Sequence, residues 1–215
     1  LFCRSTRGVA LKHGYRASFM AKPYLQHPGS GMHVHVSLYD GAGNNLLAVN
    51  QQQPLRHAIA GCLALLPACM PIFAPNHNGF RRLGGTTNIA TQASWGYEDR
   101  DACLRIPESD SKNLRVEYRL AGADANPYLL LAAILVGLEH GLEAGREPIL
   151  PLNEDRNSGI AFPLDMLEAV RAMQHQPQLR EGLGAEFVDV YCENKRQDHL
   201  AFMQDISARE YRWFM

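Results

Sequence analysis

The stretch Arg115-Val116-Glu117-Tyr118-Arg119 alternates charged and apolar side chains with a period of two residues. This period is typical of a β-strand with one buried face, so Val116 and Tyr118 are predicted to point into a core. Glu117 then lies between two guanidinium groups on the opposite face. By itself, such a row of charges is most often a surface ion-pair ladder of small energetic value. The surrounding sequence favours a functional site instead.

A second strand with a polar face is predicted at residues 32–38, where His33, His35 and Ser37 alternate with apolar residues. Further arginines precede the central stretch; they are Arg81, Arg82, Arg100 and Arg105. A carboxylate, two imidazoles and several guanidinium groups can together hold divalent metal ions and a polyphosphate. For the His-x-His pattern alone, imidazoles satisfied by ordinary hydrogen bonds are the commoner interpretation.

The composition indicates one domain with a real core, since the chain has 215 residues and 46% of them are hydrophobic. Its net charge of −1 gives no electrostatic reason to expect nucleic acid or a membrane as partner. The five cysteines are odd in number and show no C-x-x-C spacing, which argues against a disulfide framework or a zinc site. A cytoplasmic location is therefore expected. The first residues include no initiator Met, so the sequence is expected to be cut at its start.

Strands with polar faces come first and long helices later, which predicts an α+β fold with an antiparallel sheet rather than a doubly wound one. Pro67 and Pro71 are expected to end the second helix, and His77 is expected in an exposed turn. Asn126 and Pro127 predict the start of a buried helix. The predicted helices are 4–14, 55–66, 127–144, 164–175 and 184–213, the last with a possible break near Gln197 or Ser207. The predicted strands are 16–22, 32–38, 90–97, 102–106 and 115–119, with a polar turn at 98–101 and a loop at 147–159.

Five motifs, in this order, resemble those of the glutamine synthetase family: residues 29–35, 78–83, 100–107, 115–119 and 126–128. The resemblance runs from about residue 18 to 138, and residues 160–215 are similar to the family's helical tail. It implies the C-terminal part of a catalytic domain, in which a largely antiparallel, curved sheet lines a polar funnel and helices pack outside. The family's N-terminal β-grasp domain and first metal-binding strands are expected to be absent from residues 1–215.

The resemblance also implies a ligase that uses ATP to phosphorylate the γ-carboxylate of glutamate and lets an amine displace the phosphate. The implied cofactor is Mg²⁺ or Mn²⁺, and the implied assembly is a ring-type homo-oligomer, with a dodecamer expected, in which a neighbouring subunit completes each site. By position in the family's motifs, the resemblance implies that His33 and Glu117 bind metal. The implied catalytic residues are Arg100, Glu117 and Arg119. The implied substrate-binding residues are Gly29, Arg82, Asn88 and Arg119. The implied nucleotide-binding residues are His35, Ser37, Arg100, Arg105, Lys112 and Arg115.

The expected amine is an alkylamine or polyamine rather than ammonia. Relatives that use ammonia carry a glutamate at the position of Asn88, and Pro28 replaces an asparagine that precedes their Gly-Ser-Gly motif. A carboxylate attracts NH₄⁺ and takes its proton, whereas a neutral amide does neither well. The chain therefore resembles most the family members that join glutamate to larger amines, the gamma-glutamylpolyamine synthetases among them.

Two other classes of protein stay open. A truncated or degenerate relative would keep the fold and bind nucleotide weakly or serve as an assembly domain. A phosphotransferase similar to the guanidino kinases is less favoured, because those enzymes lack the Gly-Ser-Gly-Met-His pattern of residues 29–33.

Overall fold

The computed structural model describes residues 1–83, 90 and 92–215, and it confirms the α+β class. The helices are α1 (Phe2–Lys12), α2 (Gln53–Phe73), α3 (His77–Leu83), α4 (Pro127–Ala144), α5 (Met166–Gln174), α6 (Pro177–Leu183), α7 (Ala185–Gln204) and α8 (Ala208–Phe214). The strands are β1 (Val34–Val36), β2 (Trp95–Tyr97), β3 (Leu104–Ile106) and β4 (Val116–Tyr118). Short 3₁₀ turns span Leu46–Ala48, Asn50–Gln52 and Ser111–Asn113.

The four strands form one sheet in the order β1-β4-β3-β2, with the central stretch of the sequence in its interior. Strand β4 pairs antiparallel with both β1 and β3, as expected, whereas β2 pairs parallel with β3. Residues 98–103 therefore return the chain to the starting end of the sheet instead of forming a hairpin. Parallel neighbours require such a crossover, although this one is much shorter than usual.

Helices α2 and α4 cross at very close range because glycines face each other. A Cβ atom on Gly61 would lie 2.3 Å from the backbone N of Gly141, and one on Gly141 would lie 2.1 Å from the carbonyl O of His57. Both helices are long and apolar enough to span a membrane by length and composition, and 72% of the most apolar window of α2 is buried in the protein. Helix α4 is buried toward α2, while Tyr128, Leu131 and Leu135 are exposed on its other side.

The expectation that Pro67 and Pro71 end the second helix is wrong, because α2 continues through both to Phe73. An interior proline costs a helix about 3 kcal/mol. Here the last turns contribute a run of buried residues from Ala68 to Ala74 to the core, and this burial outweighs the lost hydrogen bonds.

Several other local predictions need correction. Residues 16–22 form no strand; Lys22 is held instead by the side chain of Asn78, which bonds both its N–H and its C=O at 2.8 Å. His77 lies at the start of helix α3 and stacks on Phe202, with ring centroids 4.1 Å apart, so it is not an exposed turn residue. The C-terminal region contains a further helix, α6, and the final helix is interrupted next to Ser207, which caps α8. Helix α4 begins as predicted, with Asn126 accepting from the N–H of Tyr128.

Candidate active site

Glu117 occupies the middle of the sheet's polar face. The register places His35 of β1 and Arg105 of β3 directly opposite it on the two neighbouring strands. On the other face, Val34, Leu104 and Tyr118 lie in register, and the ring of Tyr118 meets that of Phe73 from α2. The alternation in residues 115–119 thus brings carboxylate, imidazole and guanidinium groups together while the apolar partners fill the core.

The Glu117 carboxylate accepts from two arginines. Arg105 Nη1 donates to Oε2 at 2.7 Å, and Arg119 Nη1 donates to Oε1 at 2.8 Å. Burial raises the pKa of Glu117, but the bonds from Arg105 and Arg119 outweigh it and leave the pKa below its ordinary value. Glu117 is therefore ionised at neutral pH. Within the described residues, Arg105 and Arg119 each have a buried Nε–H without a hydrogen-bond partner. The cluster can therefore donate further hydrogen bonds.

His33 approaches the same carboxylate, with Nδ1 3.0 Å from Oε1 of Glu117. Burial and the neighbouring Arg119 lower the pKa of His33, which keeps the imidazole neutral near pH 7. Because an ionised carboxylate can only accept, Nδ1 carries the hydrogen in this contact and Nε2 keeps its lone pair. A histidine oriented by a carboxylate in this way is the usual arrangement of an imidazole that binds metal.

This donor set fits part of a divalent-metal site. Glu117 offers a hard oxygen ligand and His33 a free nitrogen, and His35 Nε2 lies 4.0 Å from Glu117. Among residues 1–83, 90 and 92–215, however, no three His, Cys, Asp or Glu side chains gather as a complete metal-binding group. Metal binding at His33 and Glu117 stays a prediction, and it would need ligands from outside this cluster.

Arg82 lies beneath the site, nearly fully buried. Its Nη1 donates to the carbonyl of Leu120 at 2.7 Å and its Nη2 to that of Arg119 at 3.3 Å. Two glycines make room for it: a Cβ on Gly29 would lie 3.0 Å from its Cγ, and one on Gly31 would lie 2.6 Å from its Nη2. The structure thus shows Arg82 and Gly29 packed together, with Arg82 supporting the end of β4. Their predicted contacts with substrate stay predictions.

The predicted nucleotide-binding residues line one side of this cluster. Arg115 Nε donates to His35 Nδ1 at 3.3 Å, and Ser37 Oγ donates to the carbonyl of Leu114 at 3.0 Å. Lys112 has an exposed side chain, and its carbonyl accepts from Tyr39 and Asn45. These residues form a partly exposed rim of mainly basic groups, which suits an anionic ligand.

The turn at residues 98–101 brings the backbone of Arg100 into contact with the cluster. Sequence reasoning missed the residues that hold this turn in place. Arg119 Nη2 donates to the Arg100 carbonyl at 3.2 Å, while Asp99 accepts from Arg156 Nη1 at 2.5 Å. Glu98 accepts from Arg105 Nη2 at 2.7 Å. The clustering of charge at 98–101 was visible in the sequence, but nothing in it indicated that Arg156, in the loop at 147–159, is the partner. Asn88, predicted to bind substrate, lies outside the described residues.

A carboxylate held by two arginines and paired with an imidazole, on the polar face of an α+β sheet, is a charged cluster suited to binding anionic ligands. The chain belongs to the family described as glutamine synthetase, catalytic domain, whose profile matches residues 1–214. This membership confirms the resemblance drawn from the five motifs.

Two individual relatives and one solved structure are similar to most of this chain. The chain is 42% identical to gamma-glutamylputrescine synthetase PuuA of Escherichia coli (strain K12), over 99% of this chain and 46% of that protein. It is 35% identical to a glutamate–isopropylamine ligase of a Pseudomonas species, over 87% of this chain and 43% of that protein. A solved GmaS/ADP complex superposes with a TM-score of 0.86 at 27% identity, covering 99% of this chain and 52% of that one. The chain spans about half the length of these relatives.

Proposed function

We propose that the protein containing this chain is an ATP-dependent ligase that joins the γ-carboxylate of glutamate to an amine through γ-glutamyl phosphate. The observation that carries this proposal is Glu117, held by Arg105 and Arg119 with His33 at 3.0 Å, in a chain of the glutamine synthetase family. The relatives named for joining glutamate to an amine support it, and the solved neighbour with ADP supports nucleotide as co-substrate.

The charges of the site suit the first chemical step. Bringing a carboxylate to the terminal phosphate of ATP places two anions together, and their repulsion has to be offset by fixed positive charge. Arg100, Arg105 and Arg115 would contact phosphate oxygens, while Arg82 and Arg119 would hold the carboxylates of glutamate. Mg²⁺ or Mn²⁺ bound through His33 and Glu117 would supply further positive charge beside the transferred phosphoryl group.

The second step attaches the amine, and we propose an alkylamine or polyamine for it. The reason within the chain is Asn88 in place of a glutamate that would attract and deprotonate NH₄⁺. Relatives whose names specify putrescine and isopropylamine support this choice of substrate class. Glutamate and the amine would thus be the substrates, and a ring-type homo-oligomer in the cytoplasm is the proposed setting.

A nucleotide-binding or assembly module without catalytic activity is the second candidate. It is favoured by one observation, which is that the described residues provide no complete metal-binding group. A full-length protein that binds ATP but forms no γ-glutamyl product with any amine would support this candidate.

The amine assignment is tested by measuring kcat/KM of the full-length protein for putrescine, spermidine, ethanolamine, isopropylamine and ammonia, each with saturating ATP, glutamate and Mg²⁺ or Mn²⁺. We expect one of the larger amines to exceed ammonia by at least about 100-fold, the discrimination that a site built for one group can give. A preference for ammonia would contradict the inference from Asn88 and leave the ligase assignment intact.

A further inference from the structure

Glu98 is joined to the active-site cluster through Arg105. The Arg105 guanidinium is divided between two carboxylates: Nη1 donates to Glu117 Oε2 and Nη2 donates to Glu98 Oε2, both at 2.7 Å. The side chain of Arg105 is 16% exposed, whereas that of Glu98 is 50% exposed. Glu98 therefore binds the more exposed side of the Arg105 guanidinium, and the buried Glu117 binds the other side.

The other carboxylate oxygen of Glu98 binds the backbone of the loop that follows β3. Its Oε1 accepts from the backbone N–H of Glu108, and the N–H of Glu98 donates to the carbonyl of Ile106 at 3.0 Å. These bonds from Glu108 and Arg105 lower the pKa of Glu98, so the carboxylate is ionised at neutral pH. One side chain thus fixes both Arg105 and the backbone just after its strand.

The backbone of Glu98 has a conformation that glutamate rarely adopts. Its φ is +53°, in the left-handed region where glycine and asparagine are the usual residues. A glutamate in this region is strained, and such strain persists only where the surrounding structure holds the residue in place. The charged bonds to Arg105 and Glu108 supply a reason for a glutamate at this position.

We infer that Glu98 is a positioning residue that holds Arg105 against Glu117 in the orientation the phosphoryl-transfer site requires. The inference rests on the proposed function. Without Glu98, Nη2 of Arg105 loses its carboxylate partner, and a long side chain at the edge of the site gains rotational freedom. Because Arg105 is expected to contact phosphate, this loss should weaken ATP binding and slow turnover.

Three variants of the full-length protein separate the side chain from the backbone. Glu98→Gly removes the carboxylate and also relieves the strained φ, so it should lower kcat/KM for ATP about tenfold without lowering the melting temperature. Glu98→Gln should recover part of the loss, because its amide oxygen can still accept from Arg105. Glu108→Ala is the matched control: it removes one exposed negative charge from the same loop and should stay within about twofold of the parent. An equal loss in this control, or no loss in Glu98→Gly, would overturn the inference.

A double-mutant cycle tests whether the effect passes through Arg105. Glu98→Gly should cost a further factor of less than about two in an Arg105→Ala background. A full tenfold loss in that background would show that Glu98 acts by another route and would refute the inference.

Calorimetric ATP binding in the presence of Mg²⁺ distinguishes this inference from the proposed function. If no amine is ligated but Glu98→Gly still weakens ATP binding through Arg105, the ligase proposal fails and the positioning role stands. If ligation is observed and Glu98→Gly changes neither turnover nor ATP binding, the positioning role fails and the ligase proposal stands.

Discussion

Arg105 and Glu117 face each other on adjacent antiparallel strands, with Nη1 2.7 Å from Oε2. Each residue also has a second charged partner: Glu98 for Arg105, and Arg119 for Glu117. The result is a chain of alternating charges across the polar face of the sheet. A change at Glu117 therefore affects the whole cluster, which makes it the first residue to test.

Replacing Glu117 by glutamine should reduce amide formation by about 100-fold or more while the protein keeps its fold. The amide has nearly the shape of the carboxylate, but it lacks the charge that pairs with two arginines and would bind metal. Steady-state kinetics gives the loss, and circular dichroism checks the fold. Glu147→Gln is the matched control, since Glu147 pairs with Arg56 in an exposed position. Near-normal turnover of Glu117→Gln with unchanged metal dependence would refute the role of Glu117.

A methyl group at the crossing of α2 and α4 should destabilise the protein strongly. In Gly141→Ala, the new Cβ would lie 2.1 Å from the His57 carbonyl O, so the two backbones have to separate. We expect a loss of about 3 kcal/mol in the free energy of unfolding, measured with urea. Gly8→Ala in α1 is the control, because its Cβ meets nothing within 4 Å. That control should be neutral or stabilise by up to about 1 kcal/mol, and equal effects of both changes would show that the close crossing is wrong.

The contact between α3 and α7 should weaken in acid because of His77. Burial, then His199 and Arg81, lower the pKa of His77 below its ordinary value of 6.5, while Asp165 and Asp198 act in the opposite direction. As pH falls below 6.5, the unfolded chain takes up the proton before the folded protein does, so stability present above that pH is lost. His77→Phe, which preserves the stacking on Phe202, should make urea midpoints between pH 7.5 and 5.5 depend less on pH. The same pH dependence in parent and variant would contradict this.

Gly31→Ala should impair both glutamate binding and stability. Its Cβ would lie 2.6 Å from Nη2 of Arg82, so the buried guanidinium has to shift and weaken its bonds to the carbonyls of Arg119 and Leu120. We expect a loss of about 1–3 kcal/mol in the free energy of unfolding and, if Arg82 helps to bind glutamate, a rise of about tenfold in KM for glutamate. Gly41→Ala, whose Cβ meets nothing within 4 Å, should leave both unchanged. An unaltered KM for glutamate in Gly31→Ala would argue against that role.

Much of the site was predictable because strand alternation and helix capping are local. The period of two in residues 115–119 placed Glu117 and Tyr118 on opposite faces correctly, and Asn126 predicted the start of α4. Period-two spacing also put His33 and His35 on the polar face, although β1 is shorter than predicted. These features depend on a few neighbouring residues and need no knowledge of the tertiary structure.

What could not be predicted depends on contacts between distant parts of the chain. Helix α2 continues beyond Pro67 because its last turns are buried. A prediction that considers only the proline cannot include this burial. Glu98 and Arg156 support Arg105 and Asp99 through pairs that only the folded chain brings together. The parallel pairing of β2 with β3 likewise contradicts the hairpin that a short polar turn suggests.

The most direct test of the central claim follows oxygen atoms from glutamate labelled with ¹⁸O in the γ-carboxylate. If glutamate is activated as γ-glutamyl phosphate, the amine displaces phosphate that has kept one γ-carboxylate oxygen. Mass spectrometry of a reaction with ATP and putrescine should therefore show one ¹⁸O atom in each inorganic phosphate, together with equal amounts of γ-glutamyl amide. Unlabelled phosphate, or ATP hydrolysis without any γ-glutamyl amide from any amine including ammonia, would contradict the account.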